Sequence, residues 1–342
     1  MTPPHSADLA PAEPALIDLH PEPADMARLV REGLARTPKQ LPAWFLYDET
    51  GSRLFEHICE QPEYSLTRTE TELLQRLGPE LAAALGPGAL VEFGAGNGRK
   101  VSPLLEARRQ SACVALDISS EHLSRACAGL RERHPGLPIL GICCDYSALT
   151  ALPDHPLLRQ PRIGFYPGSS LGNFDPQEAR ALLSRFATLL GDDSRLLIGI
   201  DQPKTVARLE AAYNDAAGWS AAFALNLLQR LNRELEGDFD PDGFVYQARW
   251  QEEHSRIAMA LVSRRAQSVR VAGERVSFGA AEPLITEYSV KYSPESFLAL
   301  ARGAGWTSLQ RWSDAAEDLS LHLLKRADWK AAGQSEPPGR RP

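Results

Sequence analysis

Val91-Glu-Phe-Gly-Ala-Gly-Asn-Gly98 is the stretch from which the fold is read. It continues a short apolar run that begins at Ala89, and it opens a helical pattern through Val101-Ser-Pro-Leu-Leu105. Glycines between a buried strand and a helix permit a tight turn and let a ligand approach the backbone closely. The next apolar run, Ala112-Cys-Val-Ala-Leu-Asp117, ends in an acid. It lies about 20 residues beyond the glycines, where a carboxylate can hold ribose hydroxyls. The dinucleotide fingerprint is the first rival, but it requires Gly-x-Gly-x-x-Gly. Here the spacing is Gly-x-Gly-x-Gly, with Arg99 at the last fingerprint position and Glu92 two residues before the first glycine. A third run, Leu140-Gly-Ile-Cys-Cys-Asp145, ends in another acid. Singly, Glu92 reads equally well as a structural acid bonding loop amides, and Asp145 as a turn or helix cap. Three acids in order at successive strand ends favour a cationic nucleoside over a pyrophosphate. S-adenosylmethionine fits, with its positive sulfonium, ribose diol and adenine amine.

Outward from this stretch, Arg162-Ile-Gly-Phe-Tyr-Pro167 and Arg195-Leu-Leu-Ile-Gly-Ile-Asp201 read as a fourth and fifth strand. Between them, Asp175-Pro-Gln-Glu178 supplies an N-cap, a proline at the first helical position and a capping Glu. Continuous apolar strands alternating with helices mark a parallel sheet covered on both faces. Upstream, helical spacing predicts helices over 24–37, 52–61 and 68–85. Downstream the alternation breaks. One long helix is expected over 206–235, then strands over 244–250, 256–261, 267–271 and 284–290. Ser293-Pro-Glu starts a helix to about Arg302, with Gly303 as its stop. Residues 306–312 and 319–324 alternate like an antiparallel pair closing the sheet. The expected fold is α/β: a Rossmann-like, mostly parallel sheet with an inserted α+β segment.

The 342 residues carry 37 Lys and Arg against 44 Asp and Glu, a net charge of −7. Binders of duplex DNA or RNA present a basic patch to neutralise phosphates, so a nucleic-acid partner is not expected. No uncharged apolar run approaches the roughly 18 residues of a membrane helix, and the N-terminus lacks a basic start and apolar core. Cys59, Cys113, Cys127, Cys143 and Cys144 form no disulfide framework and no Cys-x-x-Cys metal pair. Free buried thiols in a reducing cytoplasm are expected, with no metal. A monomer is expected.

Beyond the glycine loop, the chain resembles the histidine-specific Nα-methyltransferases of ergothioneine biosynthesis, a branch of the class I S-adenosylmethionine-dependent methyltransferases. The resemblance runs over about 30–328. It is carried by Trp44-Phe-Leu-Tyr-Asp-Glu-Thr-Gly-Ser-Arg-Leu-Phe55, Pro62-Glu-Tyr-Ser-Leu-Thr-Arg-Thr-Glu70, Pro167-Gly-Ser-Ser-Leu-Gly-Asn-Phe174, Tyr213-Asn-Asp-Ala-Ala-Gly218 and Thr286-Glu-Tyr-Ser-Val-Lys-Tyr292. It implies three successive methyl transfers to the α-amine of free L-histidine, giving hercynine. It also implies a class I methyltransferase core over 69–203 and 291–328, with a substrate domain from 15–68 and the insert 204–290. Residues 1–14 and 329–342 are expected to be disordered tails, since Pro, Gly and charge leave little to bury.

The resemblance places the cofactor against Tyr47, Gly94, Lys100, Asp117, Asp145 and Tyr146. Lys100 would answer the cofactor's carboxylate. The substrate is placed against Tyr47, Phe55, Tyr64, Gly168, Asn173, Tyr213, Met259, Glu287 and Ser289. Asn173 and Tyr47 stand closest to the reaction, Asn173 as a positioning amide, and no base is assigned. Tyr47 and Tyr213 can donate to an α-carboxylate. Glu287 and Ser289, two apart on a strand, share a face and can hold both nitrogens of an imidazole, with Phe55 and Met259 packing the ring. Plain structural alternatives exist for each: a turn Asn, half-buried tyrosines, core apolar residues, and the solvent face of an edge strand for Glu287 and Ser289. A methyltransferase of another amino acid or small amine on the same fold is the nearest rival. A non-catalytic cofactor-binding protein is the second.

Overall fold

The computed structural model describes residues 15–19 and 23–327. The expected tails, 1–14 and 329–342, lie outside the described residues. The elements in chain order are β1 (Ala15–Asp18), α1 (Pro23–Leu34), β2 (Lys39–Gln40), α2 (Glu49–Glu60), α3 (Leu66–Leu85), β3 (Ala89–Phe93), α4 (Ser102–Glu106), β4 (Ala112–Asp117), α5 (Ser120–Arg133), β5 (Ile139–Cys143) and β6 (Arg162–Tyr166). There follow α6 (Pro176–Leu190), β7 (Arg195–Asp201), α7 (Val206–Ala212), α8 (Trp219–Glu234), β8 (Phe244–Gln251), β9 (Arg256–Ser263), β10 (Gln267–Val271), β11 (Glu274–Phe278), β12 (Pro283–Val290), α9 (Pro294–Gly303), β13 (Trp306–Ser313) and β14 (Leu319–Arg326).

The main sheet has the order β1-β5-β4-β3-β6-β7-β14-β13. Strands β1 to β7 within it pair in parallel, and β14 and β13 close the edge antiparallel. Strand order reverses at β3, which lies between β4 and β6. Open α/β sheets bind ligands beyond the carboxyl ends of their strands at such a switch point. Side chains of these strands alternate between two cores. Val91, Phe93, Val114 and Leu116 pack with Leu183 and Phe186 of α6, and Phe93 stacks on Phe186 at 4.0 Å. Leu90, Cys113 and Ala115 pack with Leu74 and Leu81 of α3 and Leu123 of α5. Both faces are covered, which is why the strands read as unbroken apolar runs.

A second sheet, β2-β12-β9-β8, stands beside the first. A third core joins it to the N-terminal helices. Phe45, Leu46 and Tyr64 pack there with Phe223, Leu227 and Leu231 of α8 and with Leu261 of β9. β2 pairs with β12 at Leu284 and Ile285.

Three expectations are corrected, and one strand, β11, is added to them. Ala15–Asp18 pairs with β5, so this stretch belongs to the main sheet and not to the substrate part expected from residue 15. The helix expected over 206–235 is two helices. Gly218 takes a left-handed φ of 80°, and the Asp215 carboxylate accepts the amides of Trp219 (2.8 Å) and Ser220 (2.7 Å), starting α8 afresh. Asp and Gly interrupt the backbone there without interrupting apolar spacing. β11 had no clear periodic signal. It is fixed by the two-residue turn Ala272-Gly273, with φ of 53° and 80°, which matches the twist of a hairpin. Gly303 is the last residue of α9 and not the first beyond it.

The capping box at α6 forms as read. Asp175 accepts from the amides of Gln177 and Glu178, each at 2.8 Å, and the Glu178 carboxylate accepts the Asp175 amide at 3.1 Å. Asp175→Ala is expected to lower stability by about 1 kcal/mol, with Asp175→Asn close to wild type. The check is the urea midpoint of each variant; an Asp175→Ala midpoint equal to wild type would contradict this role.

Candidate active site

The cofactor edge is built by backbone geometry first. Gly94, Gly96 and Gly98 all take positive φ, between 54° and 77°, a region that side chains with a Cβ avoid. The amides of Gly94 and Ala95 both bond the Leu116 carbonyl at 2.9 Å, which folds the loop over the end of β4. Asp117, at that end, accepts the amide of Gly96 at 2.9 Å and of Ser119 at 3.1 Å. Burial raises its carboxyl above the ordinary value, opposed by those backbone bonds. Asp145 accepts from the Ser147 amide (2.8 Å) and hydroxyl (2.5 Å), the turn geometry weighed for it above. Tyr146 lies over the glycine loop: a Cβ added to Gly94 would sit 3.7 Å from its hydroxyl.

One acid departs from expectation. Glu92 is fully buried, and neither of its carboxylate oxygens has a hydrogen-bond partner among the described residues. Burial pushes its carboxyl well above the usual range, and it bonds no loop amide among the described residues. Lys100 is paired with Glu70 at 2.7 Å. The edge nevertheless fits a cationic nucleoside. Asp117 and Asp145 stand at neighbouring strand ends, Glu92 keeps unpaired polar oxygens beneath the loop, and a Cβ on Gly96 would meet nothing within 4 Å.

The substrate residues converge. Tyr47, Phe55, Tyr64, Gly168, Asn173, Tyr213, Met259, Glu287 and Ser289 all line one pocket. Phe55 lies edge-on to Tyr47 (5.5 Å) and Tyr64 (6.2 Å), and Tyr64 edge-on to Tyr213 (5.9 Å). Asn173 ends the 3-10 turn Ser170–Asn173. A Cβ on Gly172 would lie 2.6 Å from the Val290 carbonyl, so glycine is what lets this turn press against β12. The Asn173 amide then donates to Glu287 Oε1 at 2.8 Å, and the Tyr47 hydroxyl donates to the same oxygen at 3.4 Å. Burial pushes the Glu287 carboxyl up to about 8, against the opposing effects of the Tyr47 bond and Lys291. Glu287 is therefore not on the solvent face of an edge strand; β12 lies between β2 and β9.

Tyr213 is engaged at the Ser289 end of the pocket. Its hydroxyl is 2.7 Å from Ser289 Oγ and accepts from Lys291 Nζ at 2.7 Å. Three further groups went unmarked in the sequence. Glu70, fully buried, takes the Gly168 amide on both oxygens, at 2.9 and 2.8 Å. Asp201 pairs with Lys291 at 2.6 Å and with Lys204. Lys291 itself is 2% exposed. Asp201 could have been found as one more acid at a strand's carboxyl end. Lys291 could have been found two residues beyond Ser289.

Residues 26–326 match the family described as histidine-specific, S-adenosylmethionine-dependent methyltransferase. The chain belongs to that family. A histidine N-alpha-methyltransferase of Mycolicibacterium smegmatis is 39% identical over 311 residues, covering 88% of this chain and 95% of that protein. One of Mycobacterium tuberculosis is 36% identical over 308 residues, with 88% and 95% covered. Ergothioneine biosynthesis protein 1 of Neurospora crassa is 31% identical over 311 residues, which are 85% of this chain and 33% of that longer protein. The resemblance read from the sequence blocks is thereby borne out, and S-adenosylmethionine is the cofactor of this methyltransferase.

Asp117 is expected to hold the ribose diol through two charge-assisted bonds. Each is worth about 1.5–3 kcal/mol, so Asp117→Ala is expected to weaken S-adenosylmethionine binding at least about tenfold. Calorimetric titration with the cofactor checks this; unchanged affinity would take Asp117 out of the site.

Proposed function

We propose that this methyltransferase trimethylates the α-amine of free L-histidine to hercynine, the first step of ergothioneine biosynthesis. The observation that carries the reading is the polar end of the pocket. There Glu287 and Ser289 stand on one face of β12, with Asn173 bonded to Glu287 at 2.8 Å. The relatives named as histidine methyltransferases support the same substrate.

When bound, S-adenosylmethionine supplies a methyl group already activated on a sulfonium. The protein's task is alignment and exclusion of water. Asp117 and the glycine loop hold the ribose, with Asp145 and Tyr146 beside them. Lys100, at the far end of the loop, is placed for the cofactor's carboxylate while Glu70 keeps it oriented. Asn173 is oriented by one N–H bond to Glu287, and its amide oxygen accepts from the α-amine and turns the lone pair toward the methyl. Tyr47, bonded to the same carboxylate, closes the wall beside it. Phe55, Tyr64 and Met259 enclose the substrate in apolar surface, and Gly168 keeps the approach free of a side chain. A positive sulfonium disfavours the ammonium form of a neighbouring amine, which leaves the nucleophilic form in place.

The five cysteines form no disulfide among the described residues, which supports a reducing, cytoplasmic setting. The parts 15–68 and 204–290 act together as the substrate domain on this reading, leaving β1 to the core.

Glu287 is expected to select histidine over other aromatic amino acids. Loss of a charged hydrogen-bond partner costs about 1.5–3 kcal/mol, so Glu287→Ala should lower kcat/KM for histidine roughly 10- to 150-fold. It should also relax the exclusion of phenylalanine and tryptophan, because the pocket gains volume and loses a group that is costly to desolvate. Cofactor affinity should stay near wild type. The test is kcat/KM for all three amino acids with both proteins; a histidine value within about threefold of wild type, well short of a charged bond, would remove Glu287 from recognition.

A further inference from the structure

We propose that Lys291 is a positioning residue that sets the direction of hydrogen bonding at the imidazole end of the pocket, so that Ser289 donates, Glu287 accepts, and only a neutral imidazole is matched. This rests on the reading of the pocket as a histidine site.

An ammonium group has three donors and no acceptor. Lys291 Nζ meets three oxygens: Asp201 Oδ2 at 2.6 Å, the Tyr213 hydroxyl at 2.7 Å and Ser289 Oγ at 2.8 Å. Each of its protons is therefore committed, one to each oxygen. The lysine backbone is held from both sides by Ser255. Its amide donates to the Ser255 carbonyl at 2.7 Å, and its carbonyl accepts the Ser255 hydroxyl at 2.9 Å. Burial alone would lower the lysine's pKa, but Asp201 more than reverses this and the group stays charged.

Tyr213 and Ser289 must both accept from the lysine, and their oxygens are 2.7 Å apart. One of them donates to the other. A phenol is the stronger acid and an alcohol the better acceptor, so Tyr213 donates to Ser289. Ser289 Oγ then accepts twice, which fills both lone pairs. What remains to it is a single O–H, available to the pocket. The Tyr213 position is itself fixed, since its carbonyl accepts the Tyr246 hydroxyl at 2.9 Å. Two residues away, Glu287 already takes Asn173 and Tyr47 on Oε1, leaving Oε2 as an acceptor.

One donor and one acceptor at this spacing match a neutral imidazole, which offers one N–H and one lone pair. The ring N–H points to Glu287 and favours its ionised form against the effect of burial. Imidazolium would turn a second N–H toward a hydroxyl with no lone pair left and a lysine cation behind it. A pyrrole or indole ring would leave the Ser289 O–H unpaired.

The test is ¹⁵N NMR of ring-labelled L-histidine bound with S-adenosylhomocysteine at pH 6, below the ordinary imidazole pKa of about 6.5. In wild type the bound ring should show one pyrrole-type and one pyridine-type nitrogen. Two pyrrole-type nitrogens would overturn the proposal, whether or not any variant folds. In Lys291→Met the freed hydroxyl can accept, so the bound ring should move toward imidazolium; an unchanged spectrum would remove Lys291 from this role. In turnover, the kcat/KM ratio of histidine to β-(pyrrolyl)alanine should fall about fivefold or more in both Lys291→Met and Ser289→Ala. A lysine that merely supports the fold would lower both substrates together and keep the ratio. Wild type that neither binds nor methylates histidine would instead defeat the histidine reading itself.

Discussion

The Glu70 carboxylate is the contact on which the two ligand edges depend. It is fully buried on α3, yet both its oxygens are used: the Gly168 amide bridges them and Lys100 pairs at 2.7 Å. A buried ion left without its partner is strongly destabilising, by about 3–5 kcal/mol, so these groups hold one another in place. Gly168 begins the loop that carries Asn173, and Lys100 ends the glycine loop. One carboxylate thus fixes the distance between the glycine loop and the loop that carries Asn173. The backbone makes room for it at Gly199, where a Cβ would lie 1.9 Å from Glu70 Oε1. In-line transfer demands such a fixed separation, because misplacement of the reacting atoms by an ångström is costly in rate.

The Ser289 end of the pocket is held by a second buried charge cluster of the same kind. Asp201 ends β7 of the main sheet, while Lys291, Ser289 and Glu287 belong to β12 and its end in the second sheet. The Lys291–Asp201 pair therefore clamps the two sheets together at the pocket. The Asp201 amide also donates to Ser169 Oγ at 2.9 Å, which links this clamp to the Gly168 loop. Both clusters bury charge, and both are used to orient groups that face ligand. That is a more secure account of them than net stability, since buried pairs often only offset their own desolvation.

The sheet was legible because its strands are buried on both faces and read as unbroken apolar runs, as β3, β4 and β7 do. The cofactor edge was legible for the same local reason: glycines and the acid Asp117 follow one another within one strand-turn-helix-strand unit. The substrate pocket was not legible from periodicity. Asn173 and Glu287 are 114 residues apart, and Gly168 and Glu70 are 98 apart, so no local pattern records their contact. Alternation alone left Glu287 and Ser289 on a solvent-facing edge; resemblance to the family's sequence blocks placed them in the pocket. Lys291 stood within one of those blocks, but a lysine's usual fate is solvent, and its partner Asp201 lies in another sheet. The split between α7 and α8 escaped because Asp215 and Gly218 act on the backbone, which side-chain spacing does not register.

On the proposed function, this pocket presents the α-amine of free histidine to S-adenosylmethionine. Mass spectrometry of L-histidine incubated with the enzyme and S-adenosylmethionine tests it most directly. The account predicts a trimethylated product with every added methyl on the α-nitrogen. Unmodified histidine, from enzyme that demonstrably binds the cofactor, would contradict it.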